Sequence, residues 1–250
     1  MNLARAPRLP IRLRAGCARG ALSALCLWLA ASGAMAQTIA AARYTEPTDR
    51  YAHGVLGDAI EWGALELTFA DGRVSTFTLP KDHVFEDVAP RLADLDGTGA
   101  PKVIVVETDM QAGGALAVYG PDGKITETPH IGMRNRWLAP VGAADLDGDG
   151  AVEIAYVDRP HLAMILRVWR YQDGVVSEVA ALGGLSNHRI GEVDIAGGIR
   201  TCAGTPEMIV ATGDWSTLVA LGWDGSEFAR SDLGPDTSRV AFARAMRCAE

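Results

Sequence analysis

Val141-Gly142-Ala143-Ala144-Asp145-Leu146-Asp147-Gly148-Asp149-Gly150-Ala151-Val152-Glu153-Ile154-Ala155-Tyr156-Val157 decides how this chain is read, because the pattern recurs. An earlier copy is Pro90-Arg91-Leu92-Ala93-Asp94-Leu95-Asp96-Gly97-Thr98-Gly99-Ala100-Pro101-Lys102-Val103-Ile104-Val105-Val106, with Asp94 standing 51 residues before Asp145. A third, eroded copy begins at Ile190-Gly191-Glu192-Val193-Asp194, 49 residues after Asp145, and resumes at Pro206-Glu207-Met208-Ile209-Val210-Ala211. A fixed period of this size marks a repeat architecture, in which each unit buries its apolar faces against its neighbours. Inside each period, short Val-, Ile-, Leu- and Ala-rich runs alternate with Gly, Asp and Asn clusters, and no stretch has a 3.6-residue apolar period. The fold class predicted is all-β, with helix nearly absent.

Turn chemistry sets the number of units. Asp71-Gly72, Asp122-Gly123, Asp173-Gly174 and Asp224-Gly225 each follow an apolar run, and Asp-Gly supplies the positive φ angles of a tight hairpin. Four strands per period of about fifty residues predict a small β-propeller of four blades. The first unit, from about Tyr51, lacks an obvious inner strand. Ser238 to Met246 stands where the next inner strand is due and is expected to complete the first blade as a closing C-terminal strand. The propeller domain is therefore assigned to 51–250, with 37–50 an N-terminal extension.

Residues 1–36 read as an export signal. Five arginines precede the apolar run from Ala21 to Ala31, no acid occurs before position 37, and Ala34-Met35-Ala36 fits a small-x-small cleavage site. The run is too short to span a bilayer, so no membrane span is expected. Leu25 before Cys26 argues against a lipid anchor. Without these residues the chain keeps 18 of its 23 Lys and Arg and all 31 Asp and Glu, a net charge of −13. Such a surface repels phosphate backbones and excludes nucleic acid as a partner. A periplasmic or secreted location follows. In that oxidising setting the remaining cysteines, Cys202 and Cys248, are expected to form a disulfide.

The Asp145 loop carries the chemistry. Carboxylates of Asp145, Asp147, Asp149 and Glu153, with the Ala151 carbonyl, can surround one hard cation, and the lack of His or Cys favours calcium over softer metals. In the earlier copy Asp94, Asp96 and Thr98 form a weaker possible metal loop, because Lys102 replaces the last acid and its ammonium is expected to pair with Asp94 or Asp96. The third copy keeps Asp194 alone.

The repeated Ala-Asp-Leu-Asp-Gly-Asp-Gly, followed by an acid and an apolar strand, resembles the FG-GAP/VCBS repeats of integrin α-chain propellers and of many secreted bacterial proteins. The resemblance is strong over Asp145–Val157, fair over Asp94–Val106 and poor from Asp194. It implies a β-propeller with structural calcium in the loop between the first two strands of a blade. Four blades depart from the seven of integrins, so no ligand specificity carries over.

Enzyme signatures are absent: the chain has no His-Glu-x-x-His, Gly-x-Ser-x-Gly or Gly-x-x-x-x-Gly-Lys. The five histidines fall in different units and read as loop or packing residues. Inner strands open with polar residues, so Arg91, Arg136, Trp137, His188, Arg189 and Arg239 can converge at one channel mouth suited to an anionic or sugar-like ligand. The expected function is binding of a protein or glycan partner, with calcium fixing a loop. The alternatives are a hydrolase or lyase with its site at the mouth, or a structural accessory of a secreted system.

Overall fold

The computed structural model describes residues 37–202 and 204–249, and the export signal expected over 1–36 lies outside the described residues. The first antiparallel sheet contains β1 (Ile39–Thr48), β2 (Glu61–Phe69), β3 (Val74–Thr78), β4 (His83–Phe85), β5 (Arg91–Ala93), β6 (Lys102–Asp109), β7 (Gly113–Gly120) and β8 (Gly123–Glu127). It holds two sequence units, β1–β3 and β4–β8, joined where Trp62 pairs with Phe85. The second sheet is the meander β9 (Leu138–Ala144), β10 (Val152–Asp158), β11 (Ile165–Gln172) and β12 (Val175–Gly183). The third contains β13 (Leu185–Ser186), β14 (Gly198–Cys202), β15 (Thr205–Thr212), β16 (Leu218–Trp223) and β17 (Phe228–Gly234). One helix, α1 (Arg239–Met246), follows. The fold is all-β, built from several antiparallel sheets. No helix among the described residues is long and apolar enough to cross a membrane.

The Asp-Gly pairs fall at hairpins β2–β3, β7–β8, β11–β12 and β16–β17, as their chemistry predicts. Asp173 and Gly174 both hold positive φ, 51° and 79°, the geometry a two-residue hairpin needs.

Strands β6 and β10 are apolar on both faces because each packs against a core on either side. In β6, Val103 and Val105 face a core shared with Leu65, Leu67 and Phe69, while Ile104 and Val106 face one shared with Ile154, Tyr156 and Trp169. In β10, Ala155 and Val157 turn the other way, towards Met208, Val210, Val219 and Leu221 of the third sheet. The opposite face of that sheet, Ile209, Ala211, Leu218 and Ala220, is covered by Ala241, Phe242 and Ala245 of α1. Four cores thus lie one after another along the array. Each stabilises by removing apolar area from water, at roughly 25 cal/mol per Å².

Three expectations are corrected. Residues 238–246 form no closing strand: Ser238 caps a helix by accepting from the Ala241 N–H at 3.2 Å, and Ala241, Phe242 and Ala245 recur on one helical face. The stretch 37–50 is no extension, since β1 pairs along its length with β2 and supplies the strand the first unit needs. The third copy is also out of register: Asp194 lies between β13 and β14, and the inner strand before β15 is Gly198–Cys202. The Cys202–Cys248 disulfide is present, with Cα atoms 5.9 Å apart, and it ties the end of β14 to the residues after α1.

Candidate functional site

The Asp145 loop joins β9 to β10. Gly148 and Gly150 take φ of 78° and 93°, which bend the chain so that Asp145, Asp147 and Asp149 converge, with one oxygen of each carboxylate within 4.8 Å of the others. Backbone N–H groups hold this curl. Asp145 accepts from Gly148 at 2.8 Å and Gly150 at 3.0 Å, Asp147 from Asp149 at 3.3 Å, and Asp149 from Ala151 at 2.8 Å. Glu153 is fully buried at the start of β10 and accepts from the Leu146 N–H at 2.9 Å.

A cation that sequence reasoning missed sits in this loop. Arg170 on β11 stands opposite Glu153 in the sheet register and donates to it at 2.7 Å, to Asp147 at 2.6 Å, and lies 3.0 Å from Asp149. Its guanidinium also lies 5.7 Å from the centre of the Trp223 ring. Burial pushes the Glu153 carboxyl above its ordinary pKa, opposed by the Leu146 N–H and Arg170. The three converging carboxylates have the chemistry to hold a hard cation, but Arg170 holds Asp147, Asp149 and Glu153, so it would have to give way before any of those three could serve as a ligand. The signal for Arg170 was its position across a hairpin from Glu153, which becomes visible once register is known.

The Asp94 loop carries its own cation, as its sequence suggests. The Lys102 ammonium lies 2.9 Å from Asp96, and Thr98 donates its hydroxyl to Asp96 at 2.6 Å. Those two contacts, the Thr98 hydroxyl foremost, hold the Asp96 carboxyl down at about 2. Asp94 accepts from the Thr98 and Gly99 N–H groups.

The six proposed mouth residues divide. Arg91 is held by buried Asp87, Arg239 by Glu192 at 2.7 Å and Asp194 at 3.0 Å, and Arg189 stacks over Trp215 at 4.0 Å. Their charges are engaged within the protein. Trp137 and His188 come together, their ring centres 5.0 Å apart, and Arg136 lies beside Trp137 on a pocket of about 250 Å³. His53 and His161, read from sequence as packing residues, line this pocket too.

A chain of hydrogen bonds fixes the group. Trp137 Nε1–H donates to the Glu86 carbonyl at 2.7 Å, and the buried Glu86 carboxylate contacts His53 Nδ1 and accepts from Thr108 Oγ1 at 2.7 Å. His188 Nε2 lies 2.9 Å from the Glu192 carbonyl, so that nitrogen carries the proton, and neutral His188 presents Nδ1 as an acceptor. His161 Nε2, 2.9 Å from that Nδ1, must then be the donor, which leaves His161 Nδ1 with a lone pair. Burial keeps both rings neutral: His161 is pushed down to about 4, by desolvation and then by His188, and His188 is lowered as well.

No family model matches the chain, and no curated protein does. Among solved structures, the chain is similar to the dipeptidyl peptidase 4 of Porphyromonas gingivalis, at 16% identity and a TM-score of 0.38, over 69% of this chain and 23% of that one. This chain spans about a quarter of that protein's length. The FG-GAP resemblance accordingly rests on the Asp94 and Asp145 loops themselves.

Proposed function

We propose that the protein is an extracytoplasmic β-propeller binding module of FG-GAP/VCBS type that recognises a protein or glycan ligand, with calcium as a structural ion in the Asp145 loop. The observation that carries this reading is the pocket at Trp137, lined by two arginines and two histidines and by no acid, in a chain whose expected exported part is strongly acidic. A small concave site with apolar walls and a few polar groups is the usual form of a ligand pocket. Asp145, Asp147 and Asp149 would hold the calcium ion with the Ala151 carbonyl, and the ion's contribution is to fix the loop. The four Asp-Gly hairpins and the succession of cores support a propeller-like array of four units, left open at the last sheet, whose outer face α1 covers.

The reading is tested by glycan-array binding of the purified protein with calcium and with chelator. Retention on a defined glycan that falls in an Arg136→Ala variant of unchanged melting temperature is the expected result. Retention on nothing, or on ligands indifferent to that variant, contradicts it.

One observation favours a second reading as a hydrolase or lyase: Glu86, buried and pushed above its ordinary pKa chiefly by desolvation, contacts His53 beside the pocket. Perturbed carboxylates in clefts are common in catalytic sites. This reading requires turnover of a substrate by the wild type and its loss in Glu86→Gln with the fold intact.

A further inference from the structure

We infer that the pocket bounded by His53, Arg136, Trp137 and His161 takes a small hydroxylated carboxylate of the sugar-acid class. The inference rests on the binding-module reading above and names its ligand.

Charge selects the anion. Arg136 is half-buried, meets no carboxylate among the described residues, and spends one N–H on the Asn135 carbonyl at 2.8 Å. Arg159, also on the pocket, gives Nε and Nη2 to Asp158 at 2.8 and 3.0 Å, which leaves Nη1. Two guanidiniums with donors to spare and no acid in the lining match a carboxylate, whose planar oxygens suit their geometry. A neutral histidine in the lining suits a hydroxyl. Neutral His161 keeps a lone pair on Nδ1, and a ligand O–H satisfies it where a bare hydrocarbon leaves it unpaired. Beside the polar Asn135, the lining has apolar walls in Val55 and Trp137 and a rim of Leu162 and Ile190, which are 62% and 73% exposed. These accept the C–H faces of a sugar ring. The pocket, at about 250 Å³, lies just below the range for drug-sized ligands, so a single ring is the right scale.

The test is calorimetric titration of the purified protein in calcium buffer with glucuronate, with glucose, which lacks the carboxylate, and with butyrate, which lacks the hydroxyls. Glucuronate is expected to bind at least about tenfold more tightly than either, and Arg136→Gln to weaken it by about tenfold or more, since one charge-assisted hydrogen bond is worth that factor. Arg136 holds only a neighbouring carbonyl, so the variant is expected to melt with the wild type. Should it not, His161→Phe, which removes the acceptor, must narrow the preference for glucuronate over butyrate. Absence of binding by glucuronate, equal binding of glucose, or indifference to both variants overturns the inference. If glucuronate fails while a calcium-dependent, Arg136-sensitive glycan is still retained on the array, the ligand class falls and the binding-module reading stands. If both fail, both fall.

Discussion

At the residue scale, Arg170 is the informative side chain of the Asp145 loop. Three acids in one tight turn repel each other, and the protein balances them with a guanidinium held by the buried Glu153 on the neighbouring strand. A calcium ion bound in this loop would have to compete with Arg170 for Asp147 and Asp149. Arg170→Gln is expected to lower stability in chelator by about 2 to 3 kcal/mol, below the range for a fully buried pair because the guanidinium is 24% exposed. The same variant should show a larger calcium-induced rise in melting temperature than the wild type, measured by scanning calorimetry; an equal or smaller rise means that Arg170 does not compete. Glu61 gives a second prediction. It is buried, and desolvation, then Glu86, Asp58 and Asp87, raises its pKa to about 9. From the unfolded value up to that point the folded state binds one proton more than the unfolded state, so stability falls as pH rises. His161 works in the opposite sense, but only below its unfolded value near 6.5. Between pH 7 and 9 that opposition is absent, Glu86, also raised by burial, acts in the same sense as Glu61, and Glu61→Gln should reduce the slope by up to about 1.4 kcal/mol per pH unit in denaturant titrations. An unchanged slope would place the proton elsewhere.

At the scale of elements, hairpins were legible and the ends of the chain were not. Asp-Gly is a local instruction, so β2–β3, β7–β8, β11–β12 and β16–β17 could be placed from single turns. Val240-Ala241-Phe242 is ambiguous by itself, since three apolar residues fit a buried strand as well as a helix. What decides is context: the Ser238 cap, the spacing to Ala245, and the apolar face of β15 and β16 that the helix covers. Strand β1 was missed because Ala40 to Ala42 carries little β-propensity, and its stability comes from pairing with β2. His53 and His161 of the pocket were illegible for a related reason, since they are brought together only by packing of separate units, whereas His188 was placed beside Trp137 from sequence. The disulfide, by contrast, followed from compartment and count. Its entropic contribution for a 46-residue separation is roughly 4 kcal/mol. Reduction should therefore lower the melting temperature, and Phe242→Ala, which costs about 3 to 5 kcal/mol in a packed core, should lower it in the oxidised protein too. If reduction left the melt unchanged, the bridge would have no part in holding α1 against the third sheet.

At the scale of the whole molecule, the sheets form a stack of successive cores that bring loops from different units to one pocket. The inter-sheet cores pack the strands that carry those loops, and the Asp145 loop is where an ion would add rigidity. Calcium binding in the Asp145 loop is tested by a thermal melt of the purified protein in millimolar calcium and in chelator, beside Asp145→Ala and Asp94→Ala. With a Kd about a hundredfold below the calcium concentration, the ion contributes roughly 2.7 kcal/mol. A clear calcium-specific rise is expected in the wild type, kept in Asp94→Ala and lost in Asp145→Ala. No rise in the wild type, or the same rise in both variants, would contradict it.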